Sequence, residues 1–473
     1  MNAIAMTING RSVGTGATFP VIDPSTGEAF AEAPAASPEQ LEEAMATAQD
    51  AFASWSRDEG LRRRALKEAA GLVMEMAADL GPTLAQEQGK PLADTGIEFE
   101  ASAEWLRYYA DLELPREVVQ DDAAAYAEIV RRPLGVVAGI TPWNYPIALA
   151  FWKIAPALRA GNTLVLKPSP YTPLSTLAVG QALQSVLPPG VLNVISGPDP
   201  LGAAMTAHAI PRKLTFTGST ATGRKVMASG ANDLKRVTLE LGGNDPAVIL
   251  DDADISAIAD ELFWGAFANN GQVCVAIKRI YVHESRHDEL VEALAERARS
   301  VAVGAWNEEG ALLGPLCNRP QFERVKELVA EAIGMGARVA AGGAPMDRPG
   351  FFFQPTILAD LDERARIVSE EQFGPALPIL SYSDVDDAVA RANAGPFGLT
   401  ASVWSSDPIR AANVGLGIEA GQVQVNGHAM GLQPHLPFGG LKSSGIGVEN
   451  GPWGLHGFTD IQLLYAPPRR AAA

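Results

Sequence analysis

Apolar residues along this chain recur at two spacings, each with its own structural meaning. In "SPEQLEEAMATAQDAFASW", residues 37–55, Leu41, Met45, Ala48, Phe52 and Trp55 fall at helical intervals. Ser37 is placed to cap that helix, Pro38 to occupy its first turn and Gln40 to close a capping box. Further on the apolar residues gather into short runs: "GVVAGI", "TLVLKP", "VLNVIS", "KLTFTG" and "RVTLEL". Amphipathic or turn-rich segments separate them. This alternation predicts βαβ units in a parallel sheet covered on both faces.

A second series follows in "AVILDD", "RIYVHE", "ARVAAGG", "ALPILSY" and "TASVWSS". Two such series predict an α/β protein with two domains. The boundary is expected within "LELGGNDP", residues 239–246, where paired glycines and a proline interrupt the pattern. Residues 113–133 fit neither series and read as an excursion that packs elsewhere. The uncharged run at 133–152 is long enough to raise the question of a membrane span. Gly135, Gly139, Pro142, Asn144 and Pro146 within it argue instead for a buried strand, a turn and a helix start.

Composition narrows the possibilities further. A chain of 473 residues exceeds a single simple core, and a net charge of −18 disfavours nucleic acid and anionic membranes as partners. The N-terminus lacks the pattern of a signal peptide. Two cysteines, Cys274 and Cys317, cannot staple so long a chain, and the cytosol is the expected compartment.

Several polar residues stand at the carboxyl ends of the expected strands, where doubly wound sheets bind ligands. They are Asn144 in "TPWNYP", Lys167 after "TLVL", Gly218 and Ser219 in "FTGSTATG", and Glu240 ending "RVTLEL". Gly218 and Ser219 open either a phosphate-binding helix or a plainly capped one. Lys167 could equally be a solvated strand-end lysine. A carboxylate in the apolar setting of Glu240 is either a base with a raised pKa or one partner of Lys235 or Arg236. Asn144 is either a turn residue before Pro146 or an amide aimed at an oxyanion. Cys274, in "NNGQVCVAIKR", is either a small buried hydrophobe or a nucleophile.

Seven motifs, in order from residue 141 to 447, carry a family resemblance: "TPWNYP", "LKPSP", "FTGSTATG", "LELGGNDP", "NNGQVC", "EEQFGP" and "PFGGLKSSGIG". Together they resemble the NAD(P)-dependent aldehyde dehydrogenase superfamily of the non-acylating, hydrolytic type. The resemblance implies Cys274 as nucleophile, Asn144 with the Cys274 N–H as oxyanion donors, and Glu240 as the base that hydrolyses a thioester. It groups Lys167 with this catalytic set and also with the cofactor residues Thr141, Trp143, Ser169, Gly218, Ser219, Leu241, Gly242, Glu371 and Phe373, to which Glu240 is added. Cys317 would be structural, and no metal is implied.

It also implies a Rossmann-like cofactor domain (1–112 and 134–241), an α/β catalytic domain (242–452) and a small β oligomerisation element (113–133 and 453–473). A homodimer or homotetramer is expected. Pro170 stands where many NAD-preferring relatives carry a glutamate, so NAD is expected with NADP possible. The substrate tunnel maps onto Tyr145, Leu149, Trp152, Ala268, Val273, Val275, Leu432 and Phe438. That lining favours uncharged aliphatic or aromatic aldehydes, with His428 and His435 near the mouth as candidates for a polar tail. Ala268 replaces an arginine that relatives specialised for succinic semialdehyde use. The alternatives are a semialdehyde dehydrogenase, a CoA-acylating dehydrogenase and a non-catalytic homologue.

Overall fold

The computed structural model describes residues 4–468; the end of the C-terminal tail, 469–473, lies outside the described residues. The first series of apolar runs forms an eight-stranded sheet. Its order is Arg11–Val13, Met6–Ile8, Leu192–Val194, Thr163–Lys167, Val136–Ile140, Lys213–Thr217, Arg236–Glu240 and Gly445–Ile446. The central strands, from Leu192–Val194 to Arg236–Glu240, run parallel because helices supply the crossovers. The helix Pro38–Trp55 has the full capping box at Ser37 and Gln40 and buries Leu41, Met45, Ala48 and Trp55 against this sheet.

The second series builds a seven-stranded sheet. Its order is Arg338–Ala341, Thr356–Ala359, Ala376–Tyr382, Ile277–His283, Asp245–Ile249, Thr400–Trp404 and Gln422–Val425. Alternation along its strands sends side chains into two separate cores. Ile249, Ile280 and Val282 pack on one face, and Val248, Tyr281 and Val403 on the other. The run "ARVAAGG" departs from the parallel expectation: Arg338–Ala341 pairs antiparallel with Thr356–Ala359. The connection between them contains no helix, and without a crossover only the antiparallel return is open.

The chain crosses between the sheets at 241–244, just after Glu240. It crosses back near the C-terminus, where Gly445–Ile446 pairs with Leu239 and Glu240, so 242–452 is not confined to the second sheet. The excursion strands Glu117–Asp121 and Tyr126–Pro133 form a three-stranded antiparallel sheet with Thr459–Ala466, which lies at its edge. The uncharged run resolves into strand Val136–Ile140, a turn and helix Pro146–Arg159. Among the described residues no helix is long and apolar enough to cross a membrane.

Candidate active site

The carboxyl ends of the first sheet's parallel strands gather one group of candidates. Thr141 N donates to Lys167 O at 3.1 Å, and Gly218 N donates to Glu240 O at 3.0 Å. The Lys167 ammonium is buried, its one hydrogen bond among the described residues running to Pro168 O at 3.3 Å, and desolvation pushes its pKa down to about 8. Thr141 Oγ1 is buried without a partner among the described residues. Ser219 caps helix Thr220–Ala231 by accepting from Thr222 N, and Ser169 accepts from Tyr171 N.

Across the crevice Glu371 lies against Gly242, where an added Cβ would meet Glu371 Oε2 at 2.3 Å, and Glu371 Oε1 accepts from Gly243 N at 3.1 Å. Trp143 and Phe373 meet edge to face at 5.3 Å. A buried ammonium, an unspent hydroxyl and flanking aromatic rings suit a dinucleotide's phosphate, ribose hydroxyls and ring.

The nucleophile candidate sits on a strained loop. Asn269 and Asn270 have φ of 49° and 58°, and Gly271 has φ of 74°. A left-handed backbone costs an ordinary L residue roughly 1–2 kcal/mol, which Asn tolerates best after Gly. The sequence "NNG" is therefore the local reason the chain can turn here. Three consecutive carbonyls after this turn are tied down. Lys278 Nζ donates to Gly271 O at 2.8 Å and Val273 O at 2.7 Å, and Asn144 Nδ2 donates to Gln272 O at 2.9 Å. With those carbonyls held, the Cys274 N–H has no acceptor among the described residues.

Cys274 opens onto a cavity of about 820 Å³ between the two sheets. The same cavity is lined by Asn144, Glu240, Leu241 and all of Tyr145, Leu149, Trp152, Ala268, Val273, Val275, Leu432 and Phe438. Trp152 stacks on Trp105 at 5.3 Å and meets Phe438 edge to face at 5.1 Å, forming an aromatic wall. Lys167 does not line this cavity. Seven acidic side chains do (Glu98, Glu100, Glu104, Glu240, Asp260, Glu261 and Glu449), while no lysine or arginine does among the described residues. His428 spends both ring nitrogens, on Ser402 Oγ and Val275 O, and burial pushes its pKa down to about 4. That neutral, occupied ring is a poor handle for a substrate tail. His435 is exposed and outside the lining.

Charge at the site follows from burial. Both Glu240 oxygens are buried without a partner among the described residues, and desolvation, reinforced by Glu449 and opposed by Lys153, raises its pKa well above the usual range. The alternative ion pairs are absent, because Lys235 pairs with Asp233 and Arg236 with Asp460. Burial likewise pushes the Cys274 thiol up to about 12, with Asp245, Glu371 and Glu240 adding to the shift and Lys278 opposing it. Cys317 is buried elsewhere, its N–H donating to Gln272 Oε1 at 2.8 Å.

Sequence reasoning missed the buried charged residues behind the site. Lys90 and Glu98 form a buried pair at 2.5 Å. Lys90 also donates to Asn144 O, while Glu98 Oε2 accepts from Ile147 N and Ala148 N at the start of helix Pro146–Arg159. Lys153 donates to Thr217 Oγ1 at 2.7 Å and Glu449 Oε1 at 2.9 Å. The one available signal was a lysine within the apolar helix "PIALAFWKIAPALR".

Comparison with known proteins meets this geometry from the other side. The profile of the aldehyde dehydrogenase family matches residues 12–464. An aldehyde dehydrogenase of a Fusarium species is 39% identical over 461 residues, covering 97% of each chain. A betaine aldehyde dehydrogenase of Brucella anthropi is 38% identical over 461 residues, covering 95% of this chain and 94% of its own. The NAD+ complex of an aldehyde dehydrogenase from Bacillus cereus superposes with a TM-score of 0.96 at 34% identity, covering 98% of this chain and 97% of that one. A cysteine, a buried carboxyl and an amide facing one cavity beside a dinucleotide crevice thus have a family to which they belong, and this chain is a member of the aldehyde dehydrogenase family, whose activity is the NAD(P)-dependent oxidation of aldehydes to carboxylic acids.

Proposed function

We propose that Cys274 Sγ adds to the aldehyde carbon, with the new oxyanion held by the free Cys274 N–H and the second amide hydrogen of Asn144. The observation that carries this reading is the convergence of Cys274, Asn144 and Glu240 on one cavity, with the Cys274 N–H unspent. Fixed donors aimed at a developing oxyanion need no rearrangement during reaction. A thiolate adds to a carbonyl and later departs more readily than an alkoxide. NAD(P), when bound, supplies the acceptor for the hydride leaving the aldehyde carbon, and the sulfur is left as a thioester. Thr141, Trp143, Lys167, Ser169, Gly218, Ser219, Leu241, Gly242, Glu371 and Phe373 would hold that cofactor. Glu240 takes a proton from water as the water attacks the thioester and passes it to the departing sulfur, releasing the carboxylic acid and restoring the thiol.

A stopped-flow burst of reduced cofactor tests the assignment. Glu240→Gln gives the burst and then stalls, while Cys274→Ala gives neither burst nor turnover. Normal steady-state turnover in Glu240→Gln removes Glu240 as the base. The retained Glu240 separates this reading from a CoA-acylating enzyme, and adding CoA to the same assay checks that point.

The substrate class follows from the lining. A carboxylate tail would enter an apolar, acid-rimmed cavity without a partner, at a cost of several kcal/mol. Uncharged aliphatic and aromatic aldehydes are the expected substrates. The exposed Glu100, Glu104 and Glu261 favour a second reading, an aldehyde with a cationic tail, and the Brucella anthropi relative is named for such a substrate. Comparing kcat/KM for hexanal, benzaldehyde, betaine aldehyde and succinic semialdehyde ranks the readings; succinic semialdehyde as best substrate overturns both. NAD is the preferred cofactor and NADP is accepted, since Pro170 neither grips a ribose hydroxyl nor repels a 2′-phosphate.

The same reading divides the chain into a cofactor domain (1–112 and 134–241), a catalytic domain (242–452) and an oligomerisation element (113–133 and 453–473). Two free cysteines support a cytosolic setting. The edge strand Thr459–Ala466, with Ile461, Leu463 and Tyr465 exposed, supports a homodimer or homotetramer.

A further inference from the structure

Lys278 is the second residue of strand Ile277–His283, four positions after the nucleophile. It is 1% exposed, in an apolar run where a lone ammonium is costly. Its surroundings explain its presence. The ammonium donates to the carbonyls of Gly271 and Val273, the two that bracket Gln272 in the loop carrying Cys274. It also lies 5.0 Å from the centre of the Phe373 ring, on the wall of the cofactor crevice. It faces Asp245 from strand Asp245–Ile249 and Glu371 from the segment after Ser369, while His428 stands nearby as a neutral ring.

We propose that Lys278 is a positioning residue for the nucleophile, holding the left-handed loop so that the Cys274 N–H and sulfur face the cavity and adding a buried positive charge that favours the thiolate. This rests on the reading of Cys274 as nucleophile. Both halves follow from geometry. Two carbonyls pulled toward one ammonium fix the Gly271–Gln272 and Val273–Cys274 peptide planes, and Asn144 fixes the Gln272–Val273 plane between them through the third carbonyl. The charge half is set by the company Cys274 keeps. Asp245, Glu371 and Glu240 all oppose ionisation of the thiol, and Lys278 works against them. Burial lowers the Lys278 pKa, while Glu371, Asp245 and, reciprocally, the thiolate favour its charged form. Through Phe373 the same lysine also touches the crevice wall.

The test uses the full-length protein with Lys278→Met, which removes clamp and charge, and Lys278→Gln, which keeps a donor without the charge. Iodoacetamide labelling of Cys274 across pH 7–9 reads the thiolate population, with Cys274→Ala as the baseline for Cys317. In both variants labelling falls at least tenfold at each pH. The burst rate with NAD and aldehyde falls at least tenfold in Lys278→Met and less in Lys278→Gln, whereas KM for the aldehyde moves less than threefold. A merely structural lysine gives the opposite sign, because a loosened loop exposes the sulfur and speeds labelling. Faster or unchanged labelling in Lys278→Gln therefore overturns the proposal, and that variant decides the question if Lys278→Met does not fold. A Cys274→Ala enzyme that keeps its burst removes the nucleophile reading itself, whatever the lysine variants do.

Discussion

Glu240 carries its carboxyl to a place where neither oxygen finds a donor among the described residues, and burial and its neighbours set its charge. Glu449 raises its pKa and Lys153 lowers it. If Glu240 is the base, as proposed, it must be ionised to act, and turnover should rise with pH through that elevated value. Replacing Glu449 by Gln removes the repelling charge and leaves the Lys153 ammonium unneutralised, and both changes favour the carboxylate. The ascending limb of the kcat profile should move to lower pH, by roughly one unit. An unmoved or alkaline-shifted limb refutes this account of Glu240. Cys274, Asn144 and Glu240 were legible in the sequence because they stand in short polar motifs within the pattern of strands. Lys153 and Glu449 were not, because their pairing joins positions 296 residues apart. Lys278 was equally opaque: between Ile277 and Arg279 a lysine looks like surface, and only the returning loop shows what it holds.

At the scale of elements, the turn before Cys274 depends on glycine in a way that can be measured. Gly271 has φ of 74°, and a Cβ there would lie 2.3 Å from the Gly374 carbonyl oxygen, next to Phe373. Gly271→Ala thus adds backbone strain of about 1–2 kcal/mol to a collision with backbone. Urea unfolding should register at least that loss, and the burst should slow at least tenfold as the loop shifts away from Asn144. Wild-type stability and burst in this variant would show that the loop is free to yield. The parallel strands were readable from their apolar runs, whereas Thr356–Ala359 and Gln422–Val425 were not. Each is four residues long, and "QVQV" alternates too briefly to stand out from a loop.

For the whole molecule, the three-stranded sheet leaves apolar side chains in solvent. Ile461 is 64% exposed, Leu463 58% and Tyr465 67%, all along the open edge strand Thr459–Ala466. Light scattering should give a mass at least twice that of one chain, and Leu463→Asp should reduce it while sparing the burst. A wild-type monomer would leave this edge without the expected function. The sequence marked the segment only as one that fitted neither α/β series, because the pairing partner of 126–133 lies beyond residue 458.

The acid-rimmed cavity has a further consequence for the direction of traffic. On the proposed reading, the reaction turns an aldehyde into an anion inside a space that no lysine or arginine lines among the described residues. Glu449, and Glu240 whenever it is ionised, then stand behind the new carboxylate, while Glu100, Glu104 and Glu261 lie in exposed positions with no counter-ion to retain it. Among the described residues, no cationic side chain in the lining rewards the product for staying. Hydrolysis thus becomes its own release signal: the substrate is drawn in by apolar contact, and the charge created by its oxidation drives it back to water.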